Sequence, residues 1–165
     1  MTVITFETRR AHPADADDIA AAHLDSIRSI GPRLYPPDVV DDWAAGVTPD
    51  LYIHAMKRGE LFFIALGVID GRHAVLGFSS HRVHNGEHRT AVYVRGSAAR
   101  QGIGSALFRL AEADAIAGGA RAIHVDASLA AVEFYRANGF VEVGRGEHKL
   151  RSGRLMPCAF VEKRW

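Results

Sequence analysis

Val92-Tyr93-Val94 … Arg100-Gln101-Gly102-Ile103-Gly104-Ser105 is the stretch whose reading decides the fold of this chain. A strand-like run ends at Val94. A helical pattern begins just past Gly102, with Leu107, Leu110, Ala111 and Asp114 marking its turns until Gly118-Gly119 stops it. The two glycines at the junction let main chain approach a ligand closely. The first-turn amides of a helix have no intrahelical acceptor, and the positive end of the helix dipole lies there too. Such a junction suits a pyrophosphate, and Arg100 adds charge. The pattern Gly-x-Gly-x-x-Gly is not completed, because Leu107 takes the last position, and no Gly-Lys-Ser/Thr follows. A dinucleotide fold and a P-loop are therefore not expected.

Reading toward the C-terminus, Ala122 to Ala127 is a short strand, and Ser128 to Asn138 a helix. Ser128 is its expected N-cap and Gly139 its left-handed stop. Phe140–Arg145 and Leu155–Glu162 read as final strands. Strand, helix, strand from Glu87 to Ala127 forms a parallel βαβ unit. Reading toward the N-terminus, Glu87–Val94, His73–His84 and Leu61–Ile69 are strands joined by the hairpin signals Asn85-Gly86 and Asp70-Gly71. Thr48 to Gly59 fits neither helix nor strand decisively. Pro36-Pro37-Asp38 opens a short helix through Trp43, closed by Gly46. A longer helix runs from an N-cap at Asp15 to Gly31-Pro32, and Thr2–Arg9 is the first strand. The expected fold class is α/β: a mixed central sheet of about seven strands with helices on both faces, in one domain over residues 1–165.

Composition narrows the function. A formal net charge of +1 argues against a dedicated nucleic-acid binder. The single cysteine, Cys158, permits no internal disulfide and reads as core, so a cytoplasmic setting is expected. No run approaches a membrane span. Met1 to Ala11 carries Glu7, Arg9 and Arg10 with no apolar core, so neither a membrane nor a secretory signal is expected. The nine histidines raise a metal site, with His81 and His88 near each other, but no cysteine or paired carboxylate completes a ligand set. No metal is expected.

Two motifs together resemble the GNAT superfamily of acetyltransferases. Its phosphate-binding pattern, Gln/Arg-x-x-Gly-x-Gly/Ala, is matched by Ala99-Arg100-Gln101-Gly102-Ile103-Gly104, with Ala99 departing at the first position. Its downstream pattern, Asn-x-x-Ala-x-x-Phe-Tyr-x-x-x-Gly-Phe, is matched by Ser128 to Phe140, with Ser128 in place of Asn and Ala131, Phe134, Tyr135, Gly139 and Phe140 in register. The resemblance implies acetyl-CoA as co-substrate, lying between the strands at Val92–Val94 and Ala122–Ala127. Main-chain groups of Val92 and Val94 would pair with the pantetheine. Arg100, Gln101, Gly102, Ile103, Gly104 and Ser105 would hold the pyrophosphate, with Ser128 and Tyr135 also at the cofactor. Tyr135 matches the family tyrosine that faces the sulfur, and its phenol can protonate the leaving thiolate.

The base is sought in the hairpin around Asn85-Gly86. Val83 should oppose His88, and His84 should oppose Glu87. His81, Val83, His88, Thr90, Val92 and Val94 then share one face. His88 suits by its ordinary proton affinity and Glu87 if burial raises it, with water as the alternative. His124 and Asp126 share a face and are expected to pair. Tyr35, Trp43, Tyr52 and His54 are candidates for the acceptor side. The expected activity is transfer of acetyl to a primary amine of a small molecule. The alternatives are a protein or peptide N-acetyltransferase and a CoA-binding regulatory module without catalysis. By analogy with the family, a homodimer is a further expectation.

Overall fold

Two tight turns establish the register of the antiparallel half. Asp70 and Gly71 have φ of 51° and 76°, and Asn85 and Gly86 have 49° and 78°. Positive φ at both central residues is the type I′ geometry, whose twist matches that of the strands it joins. The turns link β2 (Leu61–Ile69), β3 (Arg72–His84) and β4 (Glu87–Val94). Val83 opposes His88 and His84 opposes Glu87, as the hairpin signal requires.

The structure, a computed structural model, describes residues 3–165. Its seven-stranded sheet has the order β1-β2-β3-β4-β5-β7-β6, with β1 at Phe6–Arg10, β5 at Ala122–Ser128, β6 at Val141–Lys149 and β7 at Leu155–Arg164. Only β4 and β5 pair in parallel, across the crossover helix α4 (Ile103–Ala117). The sheet is mixed, as expected.

Helices α1 (Ala16–Ile30), α2 (Pro37–Ala45) and α3 (Pro49–Lys57) precede the β2 hairpin, and α5 (Val132–Ala137) follows β5. Ile19, Ala22, Tyr52 and Ala55 from α1 and α3 pack on Phe62, Ile64 and Phe78 of one sheet face. Ile103 and Leu107 of α4 pack on Ala65 and Leu76, while Phe108 of α4 meets Ile123, Val125 and Tyr135. Helices therefore cover both faces. Each fully buried side chain of this size contributes about 1.5–3 kcal/mol. No helix among the described residues is long and apolar enough to cross a membrane.

Four boundaries differ from the sequence reading. Strand β1 starts at Phe6, so Val3 and Ile4 precede it, and Thr2 lies outside the described residues, as does Met1. The ambiguous stretch after Thr48 is helix α3, opened by Pro49 at its first position, where proline's missing N–H costs nothing. Ser128 does not cap α5: it is the last residue of β5, and Ala131 holds the N-cap position. The Ser128 carbonyl instead accepts the Ala131 N–H at 2.9 Å, closing a turn that delays the helix. Strands β6 and β7 each run past their expected ends, because they pair with one another along most of their length. Asp15 does stand at the head of α1, but its carboxylate accepts from the His12 N–H at 2.8 Å and pairs with Arg9 at 2.9 Å instead of capping the helix.

Candidate active site

Strands β4 and β5 share register at a single pair, Arg89 and His124, and part beyond it. The Arg95 N–H reaches the Leu76 carbonyl at 2.8 Å, toward β3. Main-chain groups of alternate residues point to opposite edges of a strand, so those of Val92 and Val94 face the gap. The Val92 N–H donates to the Tyr135 hydroxyl oxygen at 3.1 Å. Tyr135, carried in by α5, is 3% exposed and packs on Phe134 and Phe140. Burial pushes its phenol well above the ordinary range, so it stays protonated. Its oxygen is occupied as an acceptor, and its O–H remains available to donate into the gap.

Just past β4, Arg100 and Gly102 adopt left-handed φ of 62° and 81°. Gly102 stands at the N-cap of α4 with no side chain capping it, and the first intrahelical bond runs from the Ala106 N–H to the Gly102 carbonyl at 3.0 Å. The N–H groups of Ile103, Gly104 and Ser105 are thus left to an outside acceptor. Gly104 has a second duty: a Cβ there would sit 2.7 Å from the Phe134 ring, so its absence lets α4 and α5 pack. The Gln101 side-chain oxygen accepts the Ile4 N–H at 2.7 Å and ties down the N-terminal segment. Arg100 is exposed at this junction.

On the face covered by α1–α3, the gap opens into a cleft of about 420 Å³. Val92, Ser128 and Tyr135 line it. Its apolar wall includes Trp43, Phe78 and Tyr93, and burial pushes the Tyr93 phenol up to about 12. His23 packs against Tyr93 in a tilted arrangement, 4.0 Å between centroids, and its Nδ1 lies 2.6 Å from the Tyr52 hydroxyl. Burial drives the His23 proton affinity down to about 3, so the ring is neutral.

A polar line crosses the cleft floor. Arg89 donates to Asp126 at 2.7 Å, and His148 Nδ1 lies 3.2 Å from the other Asp126 oxygen. Hydrogen bonding to His148, with the charge of Arg89, holds the Asp126 carboxyl below its usual range. Glu60, just before β2, lies on the cleft beside Ser80 and Arg82. It forms no ion pair among the described residues, and burial raises its carboxyl above the usual carboxylate range.

The two residues expected to supply the base lie elsewhere. His88 sits on the α4 side of the sheet, its Nδ1 2.9 Å from His81 Nε2, and His81 Nδ1 lies 2.6 Å from the Asp114 carboxylate. The expected proximity of His81 and His88 is real, but it links a strand pair to α4. Among the described residues no group of three or more histidine, cysteine, aspartate or glutamate side chains is arranged to hold a metal ion. Glu87 is exposed near the hairpin tip and pairs with Arg89 at 3.2 Å.

The expected His124–Asp126 pair is not formed. Asp126 is taken by Arg89 and His148, and His124 faces Glu162 at 3.6 Å across to β7. Of the acceptor-side candidates, Trp43 and Tyr52 line the cleft. Tyr35 is a buried tie instead, donating to the Pro157 carbonyl at 2.6 Å and accepting from the Leu129 N–H at 2.9 Å. His54 is exposed and does not line the cleft. Cys158 is buried, and burial raises its thiol to about 11, consistent with packing. Glu60, His23 and Arg151 went unnoticed in the sequence because no local pattern joins them; three separate elements bring them to one cleft.

A family profile described as an acetyltransferase (GNAT) domain matches residues 36–154. Comparison with curated protein sequences returns no match. Among solved structures, a GCN5-related N-acetyltransferase from Rhodopseudomonas palustris superposes with a TM-score of 0.82 at 25% identity, covering 100% of this chain and 99% of that one. The PaiA N-acetyltransferase of Thermoplasma acidophilum, solved with coenzyme A, gives 0.75 at 16% identity, with 98% and 99% covered. The YncA protein of Salmonella typhimurium, described as an acetyltransferase and solved with its cofactor acetyl-CoA, gives 0.65 at 17%, with 97% and 94% covered. The last two likenesses show the fold alone.

Proposed function

Since this chain belongs to the GNAT family of acetyltransferases, we propose that it transfers the acetyl group of acetyl-CoA directly to a primary amine of a small molecule. The observation that carries the reading is the cleft entered where β4 and β5 part, with the protonated Tyr135 at its floor. Its volume of about 420 Å³ supports a small acceptor, since small-molecule sites run from about 300 to 1,000 Å³.

The residues present fit the donor. Val92 and Val94 offer main-chain groups along the strand gap, and Ile103, Gly104 and Ser105 offer unpaired N–H groups at the head of α4. An anion there meets both the hydrogen-bond donors and the positive end of the helix. When bound, acetyl-CoA supplies an activated acyl thioester with a thiolate leaving group.

Tyr135 lends its O–H proton to that leaving group, and its burial keeps the proton in place at neutral pH. The Val92 N–H, now on the phenol oxygen, fixes the ring's position. Glu60 takes the proton from the incoming ammonium, relayed by water past Ser80. Its neighbourhood supports this role: Ser80 opposes Phe62 on one side and Ala91 on the other, so it lies between Glu60 and the strand gap. A carboxyl raised above its usual range is a better base near neutrality than an ordinary one.

The reading is tested by incubating purified protein with acetyl-CoA and a panel of primary amines. Free thiol and the acetylated amine should appear together. Firm CoA binding by calorimetry with no thiol release from any amine would sink the catalytic reading.

A further inference from the structure

The acceptor cleft is far more cationic than the chain as a whole. Its charged lining residues are Arg58, Arg82, Arg89, Lys149 and Arg151 against Glu60 and Asp126. Arg89 and Asp126 neutralise one another at 2.7 Å. Glu60 is then the one remaining acidic residue in the lining beside Arg58, Arg82, Lys149 and Arg151, and none of these four cations makes an ion pair among the described residues. The chain's formal net charge is only +1, so positive charge is concentrated in this cleft.

Arg58 and Arg82 are not placed for the pyrophosphate. Arg82 opposes Arg89, near the start of β4, and Arg58 lies beside the start of β2 at the same level. The α4 junction lies past the other end of β4, ~17 Å along the strand at about 3.4 Å per residue. Arg151, in the β6–β7 turn, reaches the cleft from above α2: a Cβ at Gly46 would lie 3.0 Å from the Arg151 Cδ.

A second, independent observation lies in the same wall. His23 Nε2 is the one buried side-chain nitrogen or oxygen without a partner among the described residues. The Tyr52 hydroxyl has no other acceptor there, so it donates to His23 Nδ1. A neutral imidazole that accepts at Nδ1 carries its proton on Nε2. An unpaired buried N–H costs free energy until something accepts from it, and a ligand anion supplies that acceptor.

Resting on the acetyl-transfer reading above, we infer that the acceptor is an amine that also carries an anionic group, a carboxylate or a phosphate, held by Arg151 with His23, while Arg58 and Arg82 add positive charge at the other end of the cleft. The guanidinium fork of Arg151 matches the paired oxygens of such a group. Polyamines and lysine side chains, cationic throughout, meet like charge in this cleft.

The test uses matched acceptors that differ only in the anion: L-leucine beside L-leucinamide, L-phenylalanine beside its amide, O-phosphoethanolamine beside ethanolamine, and spermidine as the cationic extreme. In at least one pair kcat/KM for the anionic member should exceed that of its neutral partner by tenfold or more, with spermidine poorest. Arg151→Ala should raise KM for the anionic acceptor at least tenfold while KM for acetyl-CoA stays within twofold, and Arg151→Lys should recover part of the loss. Preference for the neutral members or for spermidine would overturn this inference and leave acetyl transfer standing. Thiol release from no amine at all, despite acetyl-CoA binding, would overturn both.

Discussion

The two halves of the site are built in different ways. The proposed donor half, from β4 through α4 to α5, is made largely of main chain: strand edges at Val92 and Val94, and the N–H groups of Ile103, Gly104 and Ser105. The proposed acceptor half is made of side chains from α1, α3, the start of β2 and the β6–β7 turn. A main-chain site needs only the right backbone path, so short glycine-bearing motifs specify it. A side-chain site needs distant residues to converge, and no local pattern records that.

The largest expected effect tests whether one side chain joins the halves. Tyr135→Phe should lower kcat about 100-fold, within the usual range for a general acid. Its acetyl-CoA dissociation constant should move less than threefold. Equal losses in both would make Tyr135 a packing residue of the donor half only.

A second variant probes the main-chain half without unfolding it. Ser105→Asp puts negative charge in the first turn of α4, where an acidic residue stabilises a helix by about 0.3–1 kcal/mol. Thermal stability should hold or rise while CoA affinity by calorimetry falls at least tenfold. Gly104 is the poorer probe, because any side chain there strikes Phe134.

The base assignment gives a smaller and opposite pair of outcomes. Glu60→Gln should lower kcat/KM about tenfold at neutral pH and remove the acid limb of the pH–rate profile. That limb should lie above the usual carboxylate range, because the carboxyl is raised by burial and acts only once deprotonated. His88→Gln should change kcat less than twofold, since His88 sits on the α4 side in line with His81 and Asp114. A larger loss for His88→Gln than for Glu60→Gln would return the base to the hairpin.

The last effect is on stability and not on turnover. His23 has an ordinary value of 6.5, lowered in the fold to about 3. Below 6.5 the unfolded chain binds a proton that the native ring refuses. Stability from this group is therefore full above that pH and falls toward 3, by up to about 1.4 kcal/mol per unit. His23→Phe should flatten that decline in urea titrations at successive pH values. An unchanged slope would mean that the ring is solvated in the fold.

Much of the frame was legible from local signals. Asn85-Gly86 yielded the register that opposes Val83 to His88, and Gly102 with its unpaired amides marked the head of α4. Register also implied that His81 and His88 approach each other. It did not say which face of the sheet the cleft occupies, because β alternation groups residues on faces without saying what covers each one. By sequence His88 is accordingly a candidate base, yet it lies on the α4 side beside His81. Ser128 read as a helix cap, yet strand pairing with Cys158 holds it in β5.

The sequence by itself determined the order of the strands and helices apart from α3, the tight turns and the glycine-bearing junction at the head of α4, because each depends on φ, ψ and hydrogen bonding among residues adjacent in the chain. Only the tertiary structure decided that His23, Glu60 and Arg151 share one cleft and that Asp126 joins Arg89 instead of His124. Those choices depend on how helices and turns far apart in sequence pack over one sheet face.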